Sequence, residues 1–142
     1  MKNQRDLATG WFRKADSDLT TAQLVLDSDG PYDTACYHAQ QAAEKYLKGF
    51  LAFRCIAIPR IHDLLELNQL CADAAETWSV EIDFLAELMP YAVESRYDLE
   101  FFPDRGTAAE ALDLAQQVKT AVLAAIPPEK ETDDDNENEV AT

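Results

Sequence analysis

Cysteine and histidine are scarce in this chain of 142 residues, which has three cysteines and two histidines. The cysteines are odd in number and no pair has C-x-x-C spacing, so neither a disulfide framework nor a zinc ribbon is expected. The first residues lack the apolar run of a signal peptide, and no stretch approaches the roughly 18 apolar residues that suggest a membrane helix. These absences predict a soluble, cytoplasmic protein with no membrane association.

Basic residues are also few, because 12 lysines and arginines stand against 27 acids and the formal net charge is −15. Phosphate affinity comes mainly from Lys and Arg, so we expect poor non-specific binding of nucleic acid, and any RNA role would need a local basic patch. The 47% hydrophobic content is typical of one globular domain, placed here at residues 1–127. Residues 128–142 form an acidic tail that cannot bury an apolar core and is predicted to be disordered.

Apolar residues recur at steps of three and four along most of the chain, and no segment alternates as a strand would. Helices are predicted over 5–27 and 33–53, from residue 62 or 63, from a cap at Ser79, and from a capping box at Thr107 to about residue 126. Pro90 is expected to kink or break the fourth helix, and residues 94–106 to form an irregular junction. The predicted fold is therefore all-α, an up-and-down bundle of about five helices.

The first predicted helix has one apolar stripe and a polar side. The stripe includes Leu7 and Trp11 at its start, whereas Asp16 and Asp18 fall on the polar side. We therefore expect the stripe to be buried and both acids to face solvent.

The second predicted helix carries the most informative pattern. Wound at 100° per residue, it gathers its polar side chains into a sector of roughly 120°. These are Tyr37, His38, Gln41, Glu44, Lys45 and Lys48. One interpretation is a solvated face on which Glu44 and Lys48 form an i,i+4 pair. The other is a groove, shared with another helix or subunit, that His38, Gln41, Lys45 and Lys48 line.

His62 and Asp63 begin the third predicted helix. They are either its N-terminal cap or a His–acid pair that moves a proton or holds an anion at the helix dipole. Cys36, His38 and His62 have the residue types of a metal site but no ligand spacing. No metal or other cofactor is therefore predicted.

Arg96 and Tyr97 lie in the predicted junction. Arg96 either caps the preceding helix and pairs with Glu94 or Asp98, or presents a planar fork to phosphate or carboxylate. Residue types alone do not separate these two roles.

The run Tyr37-His-Ala-Gln-Gln-Ala-Ala-Glu-Lys-Tyr-Leu-Lys48 resembles the signature helix of HEPN domains. Trp11, Ile61-His-Asp-Leu-Leu65 and Glu94-Ser-Arg-Tyr97 are similar to flanking elements of that family, so the resemblance covers about residues 5–126. It implies a bundle like the substrate-binding subunits of nucleotidyltransferases, usually a homodimer. It also implies a nucleotide ligand, or a neighbouring minimal nucleotidyltransferase as partner in a toxin–antitoxin-like pair.

Many HEPN proteins are metal-independent ribonucleases whose motif is an Arg followed, after four to six residues, by a His. In this chain Arg96 would take the Arg role, but Phe101, Phe102 and Pro103 stand where the His should be, and none can transfer a proton. This departure favours a non-catalytic, dimeric module that binds a nucleotide or a partner, with RNA a less favoured ligand. The candidate ligand-binding residues are His38, Gln41, Lys45, Lys48, His62, Asp63, Arg96 and Tyr97.

Two other functions stay open on the sequence. One is a ribonuclease with a rearranged site, in which Arg96 acts with His38 or His62. The other is a scaffolding bundle whose polar strip is only a solvated face.

Overall fold

The computed structural model describes residues 3–128, which form six helices and no strand. The helices are α1 (Gln4–Asp27), α2 (Tyr32–Phe53), α3 (Leu64–Ala74), α4 (Ile82–Leu88), α5 (Tyr91–Tyr97) and α6 (Arg105–Ala124). The predicted all-α bundle is confirmed. Within the same residues, no helix is both long and apolar enough to cross a bilayer. The predicted acidic tail lies, apart from Pro128, outside the described residues.

Helix α2 is the centre of the bundle and contacts each of the other five helices. Fifteen of its 22 residues are buried, so little of its circumference is left to face solvent. Its largest fully buried side chains include Tyr46, Leu47 and Phe50. On the side of α1, a Cβ added to Gly49 would overlap the ring of Phe12, so glycine at this position allows the two helices to pack closely.

Aspartates cap two of the later helices. Asp63 precedes α3 and accepts hydrogen bonds from the backbone nitrogens of Leu65 and Glu66, at 2.9 and 3.2 Å. Asp104 precedes α6 and accepts from the nitrogen of Thr107 at 2.8 Å. The predicted capping box at Thr107 is therefore wrong, because the aspartate three residues earlier supplies the cap and the helix begins there.

Pro90 separates α4 from α5, as its missing N–H and its ring predict. The predicted cap at Ser79 is wrong, because α4 begins after Glu81 and has no side-chain cap. Ile82 is exposed in the first turn of this short helix. The residues after Pro90 resume a helix, so Arg96 and Tyr97 lie in the last turn of α5 and not in an irregular junction.

The buried stripe of α1 begins later than predicted. Ala15, Leu19 and Leu26 are buried, but Leu7 is 50% exposed and Trp11 is only partly covered. The prediction was wrong at this end because the chain leaves α2 at Phe53 and the following connector leaves a groove beside the first turns of α1.

Candidate functional site

One acid of α1, Asp18, joins two nitrogen-bearing side chains of α2. Its Oδ1 lies 2.8 Å from Nδ1 of His38, and its Oδ2 accepts a hydrogen bond from Nζ of Lys45 at 2.5 Å. Asp18 is only 7% exposed, while its two partners are half-buried. Partners on both oxygens offset the cost of desolvating a buried carboxylate. The predicted solvent-facing position of Asp18 is wrong, because α1 turns a wider face toward α2 than its apolar stripe alone.

This pairing fixes the orientation of the His38 ring. When neutral, the ring donates its Nδ1–H to Asp18, which leaves Nε2 as an acceptor on the opposite edge. The arrangement has the two parts of a His–carboxylate dyad. It could therefore orient a proton acceptor if a substrate reached Nε2.

The ring of Tyr37 connects His38 to α5. It meets the His38 ring edge to face, with 5.3 Å between centroids, and the guanidinium carbon of Arg96 lies 5.2 Å from its centre. The same carbon lies 5.1 Å from the centre of the Tyr97 ring, and Nε of Arg96 donates to the carbonyl of Ala92 at 2.8 Å. Arg96 is therefore held by two phenol rings and a backbone carbonyl.

Arg96 forms no ion pair with an acid of residues 3–128. Its predicted pairing with Glu94 or Asp98 is wrong, and the carbonyl that it contacts, that of Ala92, belongs to the first turn of α5. Exposed apolar side chains share the same short segment, namely Val93, Tyr97, Leu99 and Phe102. Leu99 is 87% exposed and Phe102 is 80% exposed. We call Arg96 and these four residues the α5 face; its composition is typical of protein-interaction surfaces.

A second polar cluster lies one turn further along α2. Oε2 of Glu44 accepts from Nζ of Lys48 and contacts Nδ1 of His62, each at 3.1 Å. Glu44 is 3% exposed and Lys48 is similarly buried, while the His62 side chain is mostly in solvent. The predicted Glu44–Lys48 pair is present, but it is internal. The interpretation of the strip as a solvated face is therefore wrong at these two positions.

Three side-chain nitrogen or oxygen atoms of the described residues are buried without a hydrogen-bond partner: Oε1 of Glu44, Nε2 of Gln40 and Oγ of Ser95. They belong to α2 and α5, which pack against each other.

The two remaining ligand-binding candidates from the sequence, Gln41 and Asp63, have local hydrogen-bond partners. Gln41 donates to Oε1 of Gln40 at 2.6 Å, and Asp63 caps α3.

A third polar link ties α1 and α2 to α6. Oδ1 of Asp16 accepts from the hydroxyl of Tyr46 and, at 2.8 Å, from Nζ of Lys119. Burial, followed by the bond to Asp16, raises the pKa of Tyr46. Partial burial acts to raise the pKa of Asp16, but the hydrogen bonds from Lys119 and Tyr46 outweigh it and leave that pKa below its usual value. This link stabilises the bundle, and none of its three residues is among the candidate site residues.

The positions of the absent motif histidine are filled by residues that cannot replace it. Phe101 is partly buried and packs on Tyr91, with 5.8 Å between ring centroids. Phe102 points into solvent, and Pro103 is partly covered just before the α6 cap. Within residues 3–128, no three His, Cys, Asp or Glu side chains are placed to hold a metal ion. The two histidines contact different acids, His38 that of Asp18 and His62 that of Glu44.

The structure therefore divides the sequence candidates. In one row of contacts, Asp18 joins Lys45 to His38, and the ring of Tyr37 joins His38 to Arg96, which also contacts Tyr97. In a second group, Lys48 and His62 both contact the carboxylate of Glu44. Asp18 and Glu44, the two acids that organise these groups, were not among the sequence candidates. Asp18 lies 20 residues before His38, and that separation carries no periodic signal. Only the pairing of α1 with α2 brings the two together.

Comparisons with known proteins agree with this architecture. The model of the HEPN domain family matches residues 8–126. The chain therefore belongs to the HEPN domain family. No match was found among curated proteins.

Two solved structures are similar to the chain. TT1696 from Thermus thermophilus is 33% identical, with a TM-score of 0.71, covering 84% of this chain and 98% of that one. ST0689, described as an archaeal HEPN homologue, is 25% identical with a TM-score of 0.64, covering 87% of this chain and 98% of that one.

Proposed function

We propose that this HEPN protein is a non-catalytic binding module that forms a homodimer through the α5 face. The observation that carries the proposal is Arg96, an exposed arginine that contacts two tyrosine rings in a short segment with several exposed apolar side chains. Aromatic residues and arginine are enriched where protein surfaces meet, and an arginine without an acidic partner at such a junction is available to an anion.

The ligand we propose is a nucleotide bound at the paired α5 faces, its phosphates on Arg96. Lys45 and His38 lie along the same row but already contact Asp18, so they add less charge than their number suggests. A minimal nucleotidyltransferase is the proposed protein partner, on the basis of the family resemblance.

Sedimentation velocity and calorimetric titration with ATP test the module. The wild-type chain is expected to sediment as a dimer and to bind ATP. Phe102→Ser is expected to weaken the dimer, and Arg96→Ala to lose ATP binding. A monomeric wild-type chain that binds no ATP contradicts the proposal. The partner is tested separately with a purified minimal nucleotidyltransferase, which should co-elute with the wild-type chain in size-exclusion chromatography.

A second candidate is a ribonuclease with a rearranged site, favoured by the His38–Asp18 dyad beside the Tyr37–Arg96 stack. Here Nε2 of His38 would take the proton that the motif histidine takes in other HEPN proteins. Labelled RNA incubated with the wild-type, His38→Ala and Arg96→Ala chains distinguishes the two functions. Cleavage lost in both variants supports the ribonuclease, and no cleavage by any of the three removes it.

A further inference from the structure

A shallow groove lies between the start of α4 and the second half of α6, and it shares no residue with the α5 face. Its cavity volume is about 380 Å³, within the range of roughly 300–1,000 Å³ that is typical of ligand pockets. We call it the α4–α6 groove. The lining residues are Ser79, Glu81, Phe84, Gln117, Thr120, Ala121 and Ala124.

The floor of the α4–α6 groove is apolar. Phe84 of α4 and Ala121 of α6 are partly buried there and pack against the core. The wall from α6 also includes Ala124, which is exposed. Because alanine side chains are short, they leave space beside Phe84 that an apolar side chain of another molecule can fill.

The rim of the groove carries acids on both walls. Glu81 lines it directly, and Asp83 follows in the first turn of α4; both are exposed. On the other wall, Oδ2 of Asp113 accepts a hydrogen bond from the lining residue Gln117 at 2.7 Å. None of these three acids forms an ion pair with a base of residues 3–128. Their charges are therefore available to a cationic partner.

The surrounding half of the chain has the same sign of charge. Residues 63–128 carry three bases against 13 acids. Of the three bases, Arg105 and Lys119 contact α1 and Arg96 contacts α2, and none of them lines the groove. A molecule that carries phosphates, such as nucleic acid or an anionic lipid, is therefore repelled here, whereas one that carries lysines or arginines is attracted.

We propose that the α4–α6 groove docks a basic amphipathic helix of a partner protein. A helix that lies in a groove between two others buries apolar side chains spaced three or four residues apart. Helix α4 has seven residues and is about 10 Å long, so the groove receives two such side chains. Lysines or arginines beside them pair with the acids of the rim. The proposal does not depend on the function of the α5 face, so either can fail alone.

Two synthetic peptides test the groove, each of about 18 residues and built from alanine, leucine and lysine in the same proportions. In the first, two leucines four positions apart share one face of the helix; in the second, they are two positions apart and point to different faces. Fluorescence anisotropy with the full-length chain is expected to show about tenfold tighter binding of the first peptide, because the second buries one leucine fewer. Binding should weaken in about 0.5 M salt, which screens the charges of the rim.

The amide signals of the isotope-labelled chain locate the bound peptide. The first peptide is expected to shift the signals of Phe84, Thr120 and Ala121 and to leave those of the α5 face unchanged. Thr120→Lys places a cation at an exposed position of the groove and should weaken binding roughly fivefold. Thr20→Lys is the matched control at an exposed position of α1, and it should change the affinity by less than about twofold.

Three outcomes overturn the proposal. The first is equal affinity for the two peptides, which would mean that the net charge of the chain alone attracts them. The second is signal shifts confined to another surface, or equal weakening by the two lysine variants. The third is a shift of the groove signals when the concentration of the chain is raised without peptide, which would assign the groove to a second copy.

Discussion

In α2, a histidine and two lysines lie against acids inside the bundle, whereas Arg96 in α5 lies against two tyrosine rings without an acid. Both regions are mixtures of charged and aromatic residues in the sequence. Their surroundings differ because α2 contacts every other helix, while α5 is a single pair of turns at the edge. The comparison separates residues that stabilise the fold from residues free to bind, and mutations can test that separation.

Asp18→Ala is expected to have the largest effect on stability. It leaves Lys45 and His38 half-buried without their carboxylate, and removal of one partner of a buried pair should cost about 3 kcal/mol. Urea denaturation measures the loss. Arg96→Ala is the matched control, because removing an exposed side chain should change stability by less than about 0.5 kcal/mol. Equal losses of stability in the two variants would mean that the paired residues of α2 stabilise the fold no more than Arg96 of α5 does.

Gly49→Ala is expected to cost about 2 kcal/mol, because its methyl group would overlap the ring of Phe12 between α1 and α2. Thermal denaturation followed by circular dichroism measures this change. Gly10→Ala is the control at an open position of α1, where the added methyl group has no neighbour within 4 Å. That substitution should stabilise the helix slightly. A neutral Gly49→Ala would mean that the two helices are less tightly packed.

Tyr46→Phe should cost about 1 kcal/mol through the lost hydrogen bond to Asp16. Asp16 also makes the free energy of unfolding depend on pH. Because the pKa of Asp16 is lower in the folded chain, its contribution is present above the unfolded pKa of about 3.9 and is lost as the pH falls toward the folded value. The stability gap between wild type and Asp16→Asn should therefore narrow from pH 7 to pH 3 in urea titrations. The carboxylate is half exposed, so the gap is small.

The thiols provide the smallest perturbation. Cys36 and Cys71 are buried, and burial raises the pKa of each to about 12, whereas Cys55 is exposed. One thiol should react with a chromogenic disulfide reagent in the folded chain, and three in denaturant. Rapid reaction of all three without denaturant would mean that the α2 side of the core opens readily.

The sequence predicted the positions of the long helices well, but it predicted less well which of their side chains the neighbouring helices bury. The periodicity of residues 33–53 indicated α2 to within a residue, and Pro90 marked the break between α4 and α5. Periodicity describes one helix at a time, so it could not show that Asp18 and Lys48 would be covered by neighbouring helices. It also missed α5, because seven residues are too few for a helical pattern to stand out.

For the candidate site, the sequence likewise predicted which residues are candidates but not which of them contact an acid. The residue types of His38, Lys45 and Arg96 identified them as candidates, and the missing histidine could be read directly from residues 101–103. Which of the candidates already had partners depended on contacts between residues 18 to 27 positions apart, such as Lys45 with Asp18 and His62 with Glu44.

The bond from Arg5 to Pro127 brings the beginning of α1 beside the end of the last helix. The two ends of the described bundle therefore lie close together, and the order of its helices along the chain is one of several that could build it. A short linker from residue 128 to residue 3 should allow the chain to be opened elsewhere, as in other domains whose ends lie close together. Opening it within the exposed stretch 98–100 would place new termini beside Arg96 and leave every helix intact.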